Sequence, residues 1–383
     1  MECGMRNAEC GIQDPGSEKS GYRLIIAGGG TGGHLFPGIA VARELKTRVE
    51  STEVLFVIGR KRLESEILSP MEPEFKSISI DVEGIKGRGW KKGMPVLIKL
   101  PKSILQSVSI IRQFSPSFAL GVGGYSAGPL CLAAKLMGIP TAIHEQNSYP
   151  GVTNRLLSKF VDRIFISFEE SRPYFKKKRP VFTGNPVRRE LFLSQVNQPE
   201  EGDEFTVLVV GGSQGAKAIN EAFVQALIFL HGSGKRIEVI HQTGKGDHSR
   251  VVEEYRVRGL KGDVLPFIKD MGAAYNRADI VVGRAGATTI FELAALGKPS
   301  ILIPYPHATN NHQEINAGAL VRAGGAEMIL QKDLNGEGMA RALMKYMDNR
   351  SELTKMGEQA RKISRTNAAK IIVDQMVEMA ISA

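Results

Sequence analysis

The sequence predicts an α/β protein built from two doubly wound domains, each around a parallel sheet. Three observations carry that expectation. Short apolar runs end in glycine clusters and pass into stretches with helical apolar spacing, which reads as strand, tight turn, helix. The same plan occurs in both halves of the chain. With 383 residues, the chain is long enough to bury two separate cores.

Taken in order, residues 1–21 are polar, lack the apolar core of a signal peptide and read as a disordered tail. YRLIIA (Tyr22 to Ala27) is the first strand, and GGGTGGHLFPG (Gly28 to Gly38) is the turn that opens the first helix, with Pro37 early in it. LGVGGYSAGPLCLAAKLMGIPTAIHEQN (Leu120 to Asn147) reads as strand end, glycine turn, helix and strand. In the second half, FTVLVV, GGSQGA and KAINEAFVQALIFL repeat the opening unit, and VVGRAGATTIFELAALGKPSILIPYP repeats the later one. Gly138-Ile139-Pro140 and Gly297-Lys298-Pro299 play one part in both halves: glycine stops a helix and proline opens the next strand. Strands alternating with helices imply parallel, Rossmann-like sheets.

A linker near TGNPVRRE (Thr183 to Glu190) divides the chain into domains 22–185 and 186–365. The helix-like run from Met339 to Ala383 is expected to cross back, with residues 366–383 packing on the first domain.

Composition narrows the function. A formal charge of +10 and a pI near 9.4 point to an anionic partner. Three cysteines, Cys3, Cys10 and Cys131, make no disulfide framework and fit a reducing compartment. No apolar run reaches the ~18 residues that a membrane span needs.

Four glycine turns follow strands: Gly28 to Gly33, Gly121 to Gly128, Gly211 to Gly215 and Gly283 to Gly286. Such turns allow a ligand to approach bare N–H groups at the positive end of a helix, a site suited to phosphate. In parallel sheets they all lie at the carboxyl edge, so a cleft between the two domains is the expected binding place. Gly28, Gly30 and Gly33 also satisfy the dinucleotide fingerprint, yet the second strand ends in Gly59 and Arg60 without the acid that fingerprint needs; only the 2′-phosphate of NADP would suit the arginine. A P-loop is excluded, because no Gly-Lys is followed by Ser or Thr. His34, placed just after the first turn, is either structural or a base for a hydroxyl held in the cleft. The helix amino-terminus favours its neutral form.

The motifs GGGTGGHLFPGIAVA, GVGGYSAGP, HEQNSYPGVTNR, TGNPVR, GGSQGA, GRAGATTIFELAALGKP and HQEINA, in this order, resemble the MurG family of UDP-N-acetylglucosamine transferases from about Tyr22 onward. That resemblance implies a GT-B glycosyltransferase fold with the acceptor on the first domain and the donor on the second. It implies transfer of N-acetylglucosamine from UDP-GlcNAc to the C4 hydroxyl of undecaprenyl-pyrophosphoryl-MurNAc-pentapeptide, with inversion and with no tightly bound cofactor or metal.

Carried over residue by residue, Arg188 and Ser213 would contact the donor diphosphate, Ile268 the uracil through its backbone, and Glu292 the ribose. Gln313 and Asn147 would touch sugar hydroxyls, with Thr31, Gly32 and Gly33 completing the site. His34 would be the base, with Glu145 and His144 in reserve. The loop YPHATNNHQ departs from the family's usual form, which leaves His312 without an assigned role.

GIKGRGWKKGMPVLIKLPKSI (Gly84 to Ile104) mixes basic and apolar side chains and is expected to touch anionic lipid, making the protein peripheral on the cytoplasmic face of the inner membrane. No stacking platform or helix-turn-helix accompanies the charge, so nucleic acid is not expected. The rival readings are a UDP-N-acetylglucosamine 2-epimerase, an NADP-dependent oxidoreductase, and a peripheral membrane scaffold.

Overall fold

Apolar strands form two sheets, and every strand pair in them is parallel. The computed structural model describes residues 21–29, 32–59, 68, 74–82, 90–193, 204–212 and 215–382, with the backbone alone for 90–99. The first sheet contains β1 (Arg23–Ala27), β2 (Glu53–Ile58), β3 (Lys76–Ser79), β4 (Phe118–Gly121), β5 (Thr141–Glu145), β6 (Arg163–Ile166) and β7 (Val181–Phe182), ordered β3-β2-β1-β4-β5-β6-β7. The second contains β8 (Thr206–Val210), β9 (Glu238–Gln242), β10 (Asp263–Leu265), β11 (Ile280–Gly283), β12 (Ser300–Leu302) and β13 (Glu327–Met328), ordered β10-β9-β8-β11-β12-β13.

Strand order therefore reverses between β1 and β4 in one sheet and between β8 and β11 in the other. Ligands of open α/β sheets bind at such switch points. The register brings the glycine turns side by side there, because Ala27 pairs with Gly121 and Val210 with Gly283.

The helices of the first domain are α1 (Gly32–Arg48), α2 (Trp90–Phe114), α3 (Ala127–Leu136) and α4 (Val152–Leu157). After the linker come α5 (Glu190–Leu193), α6 (Lys217–Gly232), α7 (His248–Val257), α8 (Met271–Arg277), α9 (Ala287–Leu296) and α10 (His312–Arg322). Central strands are sealed on both faces: Leu24, Ile25, Ile26 and Ala27 are all 0% exposed. That explains why they read as continuous apolar runs and not as alternating ones.

The carboxyl-terminal run is three helices, not one: α11 (Gly336–Asp348), α12 (Arg350–Ile363) and α13 (Ala368–Ile381). Asn349 (φ −136°, ψ 75°) and the extended Ser364 break it. Met339, Leu343, Tyr346 and Met356 join the second domain's core with Val207 and Phe223. By contrast, α13 buries Ile372, Val373, Met376 and Met379 against Leu24, Ile26, Ile39 and Leu45 of the first domain. Each such side chain contributes about 1.5–3 kcal/mol of apolar burial. Arg48 of α1 pairs with Asp374 of α13, and Arg43 pairs with Glu190 across the linker.

No helix among the described residues is long and apolar enough to cross a membrane. Of the basic, apolar segment, residues 84–89 lie outside the described residues, as does the tail of residues 1–20. Further along α2, Leu100 and Leu105 are exposed, and Lys102 Nζ lies 3.4 Å from Asp81.

Candidate active site

The two turns at the first switch point interlock. A Cβ on Gly124 (φ 84°) would lie 2.3 Å from the Gly29 carbonyl oxygen, so the neighbouring turn itself demands glycine. Gly212 (φ 82°) differs: a Cβ there would meet nothing within 4 Å, and only its left-handed angle requires glycine. In the second cluster the crowding lies at Gly215 instead, where a Cβ would sit 2.3 Å from the Thr243 carbonyl oxygen.

His34 lies in the first turn of α1, half-buried. Its Nδ1 is 3.0 Å from the Gly29 carbonyl, which can only accept, so Nδ1 carries a proton. The ring packs on Gly123, where a Cβ would sit 3.2 Å from Nε2. From the other domain, Thr288 in the first turn of α9 donates to the Gly33 carbonyl at 3.1 Å. Gly32, Gly33 and His34 therefore stand at the seam between the domains. Thr31 and Ser213 lie outside the described residues.

At the end of β5, His144 and Glu145 are buried. Gln146 Nε2 donates to His144 Nδ1 at 3.1 Å, while His144 Nε2 faces the Gly184 carbonyl at 3.3 Å and Ser167 Oγ at 3.1 Å. Burial pushes the His144 imidazole down to about 4; the Gly184 carbonyl opposes this and the nearby His34 adds to it. His144 is therefore neutral, with both nitrogens engaged by protein partners.

Glu145 accepts four hydrogen bonds. Asn147 N (3.0 Å) and Nδ2 (3.3 Å) reach Oε1, while Gly151 N (3.0 Å) and Asn154 Nδ2 (2.8 Å) reach Oε2. Burial raises its carboxyl above the usual range, against the pull of these donors. This geometry makes Glu145 a loop anchor: its oxygens point into its own loop.

Asn147 Oδ1 accepts from Asn316 Nδ2 at 3.3 Å, and Asn316 Oδ1 accepts from the Ser148 N–H at 2.9 Å. Asn316, on α10 and fully buried, thus ties the second domain to the HEQN loop of the first.

On the second domain, Arg188 and Glu292 meet each other. Arg188 Nη2 and Nε donate to Glu292 Oε1 at 2.8 and 3.3 Å, and the Tyr275 hydroxyl donates to Oε2 at 3.2 Å. The Arg188 guanidinium also lies 4.1 Å from the ring centroid of Phe36 on α1. The Ile268 N–H donates to Gln242 Oε1 at 2.9 Å, and Gln242 Nε2 donates to the Gly212 carbonyl at 3.1 Å. One buried amide therefore joins the PFIKDM segment to the glycine turn.

Gln313 Oε1 accepts from the Tyr305 N–H at 2.9 Å. His312 Nδ1 lies 2.8 Å from the Thr309 carbonyl, inside its own loop. Arg284 braces that loop by donating to the Ile303 and Pro304 carbonyls at 3.1 and 3.2 Å.

Thr288, Asn316, Gln242 and Tyr275 escaped the reading of the sequence as site residues. Asn316 and Thr288 lie inside quoted motifs, so position was a signal for them. Gln242 and Tyr275 lie in no motif, and only folding places them. Among the described residues, no group of three His, Cys, Asp or Glu side chains is arranged to hold a metal ion.

Comparison with known proteins gives two family matches, one in each half of the chain. The chain matches the family model of the glycosyltransferase family 28 N-terminal domain over residues 24–166 and that of the C-terminal domain over residues 206–375. It is 46% identical, over 93% of its length and 98% of the relative's, to the UDP-N-acetylglucosamine--N-acetylmuramyl-(pentapeptide) pyrophosphoryl-undecaprenol N-acetylglucosamine transferase of Syntrophus aciditrophicus. The protein of the same name from Geobacter sulfurreducens is 45% identical, over 93% of this chain and 98% of its own. Among solved structures, MurG of Acinetobacter baumannii superposes with a TM-score of 0.74 at 30% identity, covering 93% of this chain and 99% of that one. A UDP-N-acetylglucosamine 2-epimerase gives 0.67 at 12% identity over 95% and 98%, which shows a shared fold and nothing finer.

Proposed function

This chain belongs to glycosyltransferase family 28, and on that premise we propose that it moves N-acetylglucosamine from UDP-GlcNAc to the C4 hydroxyl of the lipid-linked N-acetylmuramyl-pentapeptide, the step that completes the disaccharide of the peptidoglycan precursor. The observation that carries this reading is His34, held by its Nδ1–H on the Gly29 carbonyl at the seam between the domains.

The acceptor hydroxyl gives its proton to His34 Nε2 as its oxygen attacks the anomeric carbon from the face opposite UDP. The bond from that carbon to the β-phosphate oxygen breaks, its electron pair leaves with UDP, and the configuration inverts. Negative charge growing on UDP is met by Arg188 and by the amino-terminus of α6 beyond Gly215. No metal ion is assigned a step. Glu292 accepts from ribose hydroxyls, Ile268 meets the uracil and Gln313 the sugar. Glu145 acts at one remove, by fixing Asn147. The acceptor's lipid is met where α2 begins, beside an anionic leaflet; binding to vesicles containing phosphatidylglycerol, lost at high salt, checks that part.

The test of the whole is to incubate the protein with UDP-GlcNAc, with and without a soluble analogue of the lipid-linked acceptor. UDP released only with acceptor, together with a new disaccharide, is the expected result. Acceptor-independent conversion to the C2 epimer, or no turnover at all, overturns it.

A further inference from the structure

Glu292 is 5% exposed, and its two oxygens are shared unequally. Both Arg188 contacts fall on Oε1, while Oε2 belongs to the Tyr275 hydroxyl. The two partners differ in packing. Tyr275 is 1% exposed and is locked in the second domain's core with Phe291, Ile290 and Leu208. Arg188 stands on the linker, with its side chain 22% exposed and its guanidinium over Phe36 of the first domain. One partner is enclosed in a core, and the other stands at the edge between the domains.

We propose that Tyr275 is a positioning residue for donor binding: its hydroxyl holds the Glu292 carboxylate in place while Arg188 is exchanged from that carboxylate to the donor's diphosphate. The inference rests on the reading above, in which Glu292 receives the ribose and Arg188 the phosphates. In the ligand-free pair, Oε1 is satisfied by the guanidinium. When the diphosphate draws Arg188 away, ribose hydroxyls take over Oε1, and the number of donors to the carboxylate is kept. A buried carboxylate that loses its cation is free to rotate about its side chain unless the second oxygen stays bonded. Tyr275 supplies that bond, because its ring is packed and cannot follow the arginine. A merely structural phenol would bring the same stability whether or not ribose is present. The two roles therefore separate in ligand binding.

The experiment compares Tyr275→Phe, which removes one hydroxyl and keeps the packed ring, with the wild type on two donors: UDP-GlcNAc and its 2′,3′-dideoxyribose analogue. KM, kcat and the calorimetric Kd of UDP and 2′,3′-dideoxy-UDP are measured, with a thermal melt to confirm folding. The expected result is KM and Kd raised about tenfold for the ribose ligands, kcat within about twofold, and under about twofold change for the dideoxy ligands, the size of one lost hydrogen bond to a charged acceptor. An equal penalty on both ligand sets, or none on either, overturns the proposal. Glu292→Gln is the control for the premise. If it fails to discriminate ribose from dideoxyribose, the ribose assignment is wrong whatever Tyr275 does; if it discriminates and Tyr275→Phe does not, only the positioning role falls.

Discussion

Two buried carboxylates, one in each domain, are held in opposite ways. Glu145 is 2% exposed and takes four hydrogen bonds from Asn147, Gly151 and Asn154, all within nine residues of it. Glu292 is 5% exposed and takes its strongest contacts from Arg188, 104 residues away on the linker. Burial is therefore no guide to which carboxylate does the work. What separates them is whether the partner can be removed: the donors to Glu145 are the loop itself, whereas the cation on Glu292 has somewhere else to go.

The largest effect expected from this contrast is at Glu145. Glu145→Gln turns an acceptor toward backbone N–H groups into an NH2 and should cost about 2–4 kcal/mol, collapsing the HEQN loop and activity together. Thermal melts should show that loss, while Glu292→Gln should melt near the wild type and raise the donor KM about tenfold. Equal melting losses would break the comparison. His34→Ala sharpens it from the first domain's side: with His34 as the proposed base, kcat should fall by about 10²–10⁴ with the Kd for UDP unchanged. Retained kcat would place the base elsewhere.

Acid should act on both edges. His144 in the first domain is held neutral down to about 4, and His241 in the second, bonded to Tyr255 and Asn220, down to about 3, burial being the main cause in each. The unfolded chain takes up these protons near pH 6.5, the native state only much lower, so stability falls as pH drops through that interval. For His144 the loss is about 3 kcal/mol by pH 4. Denaturant titrations of His144→Gln should show a flatter acid slope; an unchanged slope would remove His144 from the account. The smallest effect belongs to the linker, where Arg189 and Glu44 lie 3.7 Å apart with the arginine 68% exposed. Arg189→Ala should change the melting free energy by under about 1 kcal/mol; a larger loss would mean that the linker fixes the domains and does not merely join them.

The fold was legible because its units are local: a buried strand, a glycine turn and a helix occupy some thirty adjacent residues, and apolar periodicity reports each. His34 was legible for the same reason, standing next to its turn. The state of each side chain was not. Nothing near Arg188 announces that its resting partner is Glu292, nor that Gln242 joins Ile268 to Gly212, because these contacts depend on the register of separate strands. Tyr275 carries no motif and reads as an ordinary core aromatic. The break at Asn349 was missed because a helical pattern continues on either side of it.

The helix α13 sets the order in which the molecule can be finished. Its side chains Ile372, Val373, Met376 and Met379 complete the core that begins with Leu24 and Ile26. During synthesis, the second sheet is made before α13, while the first domain's core of α1 and β1 stays incomplete until α13 joins it. The half of the protein made first is thus completed by a helix made after the other half.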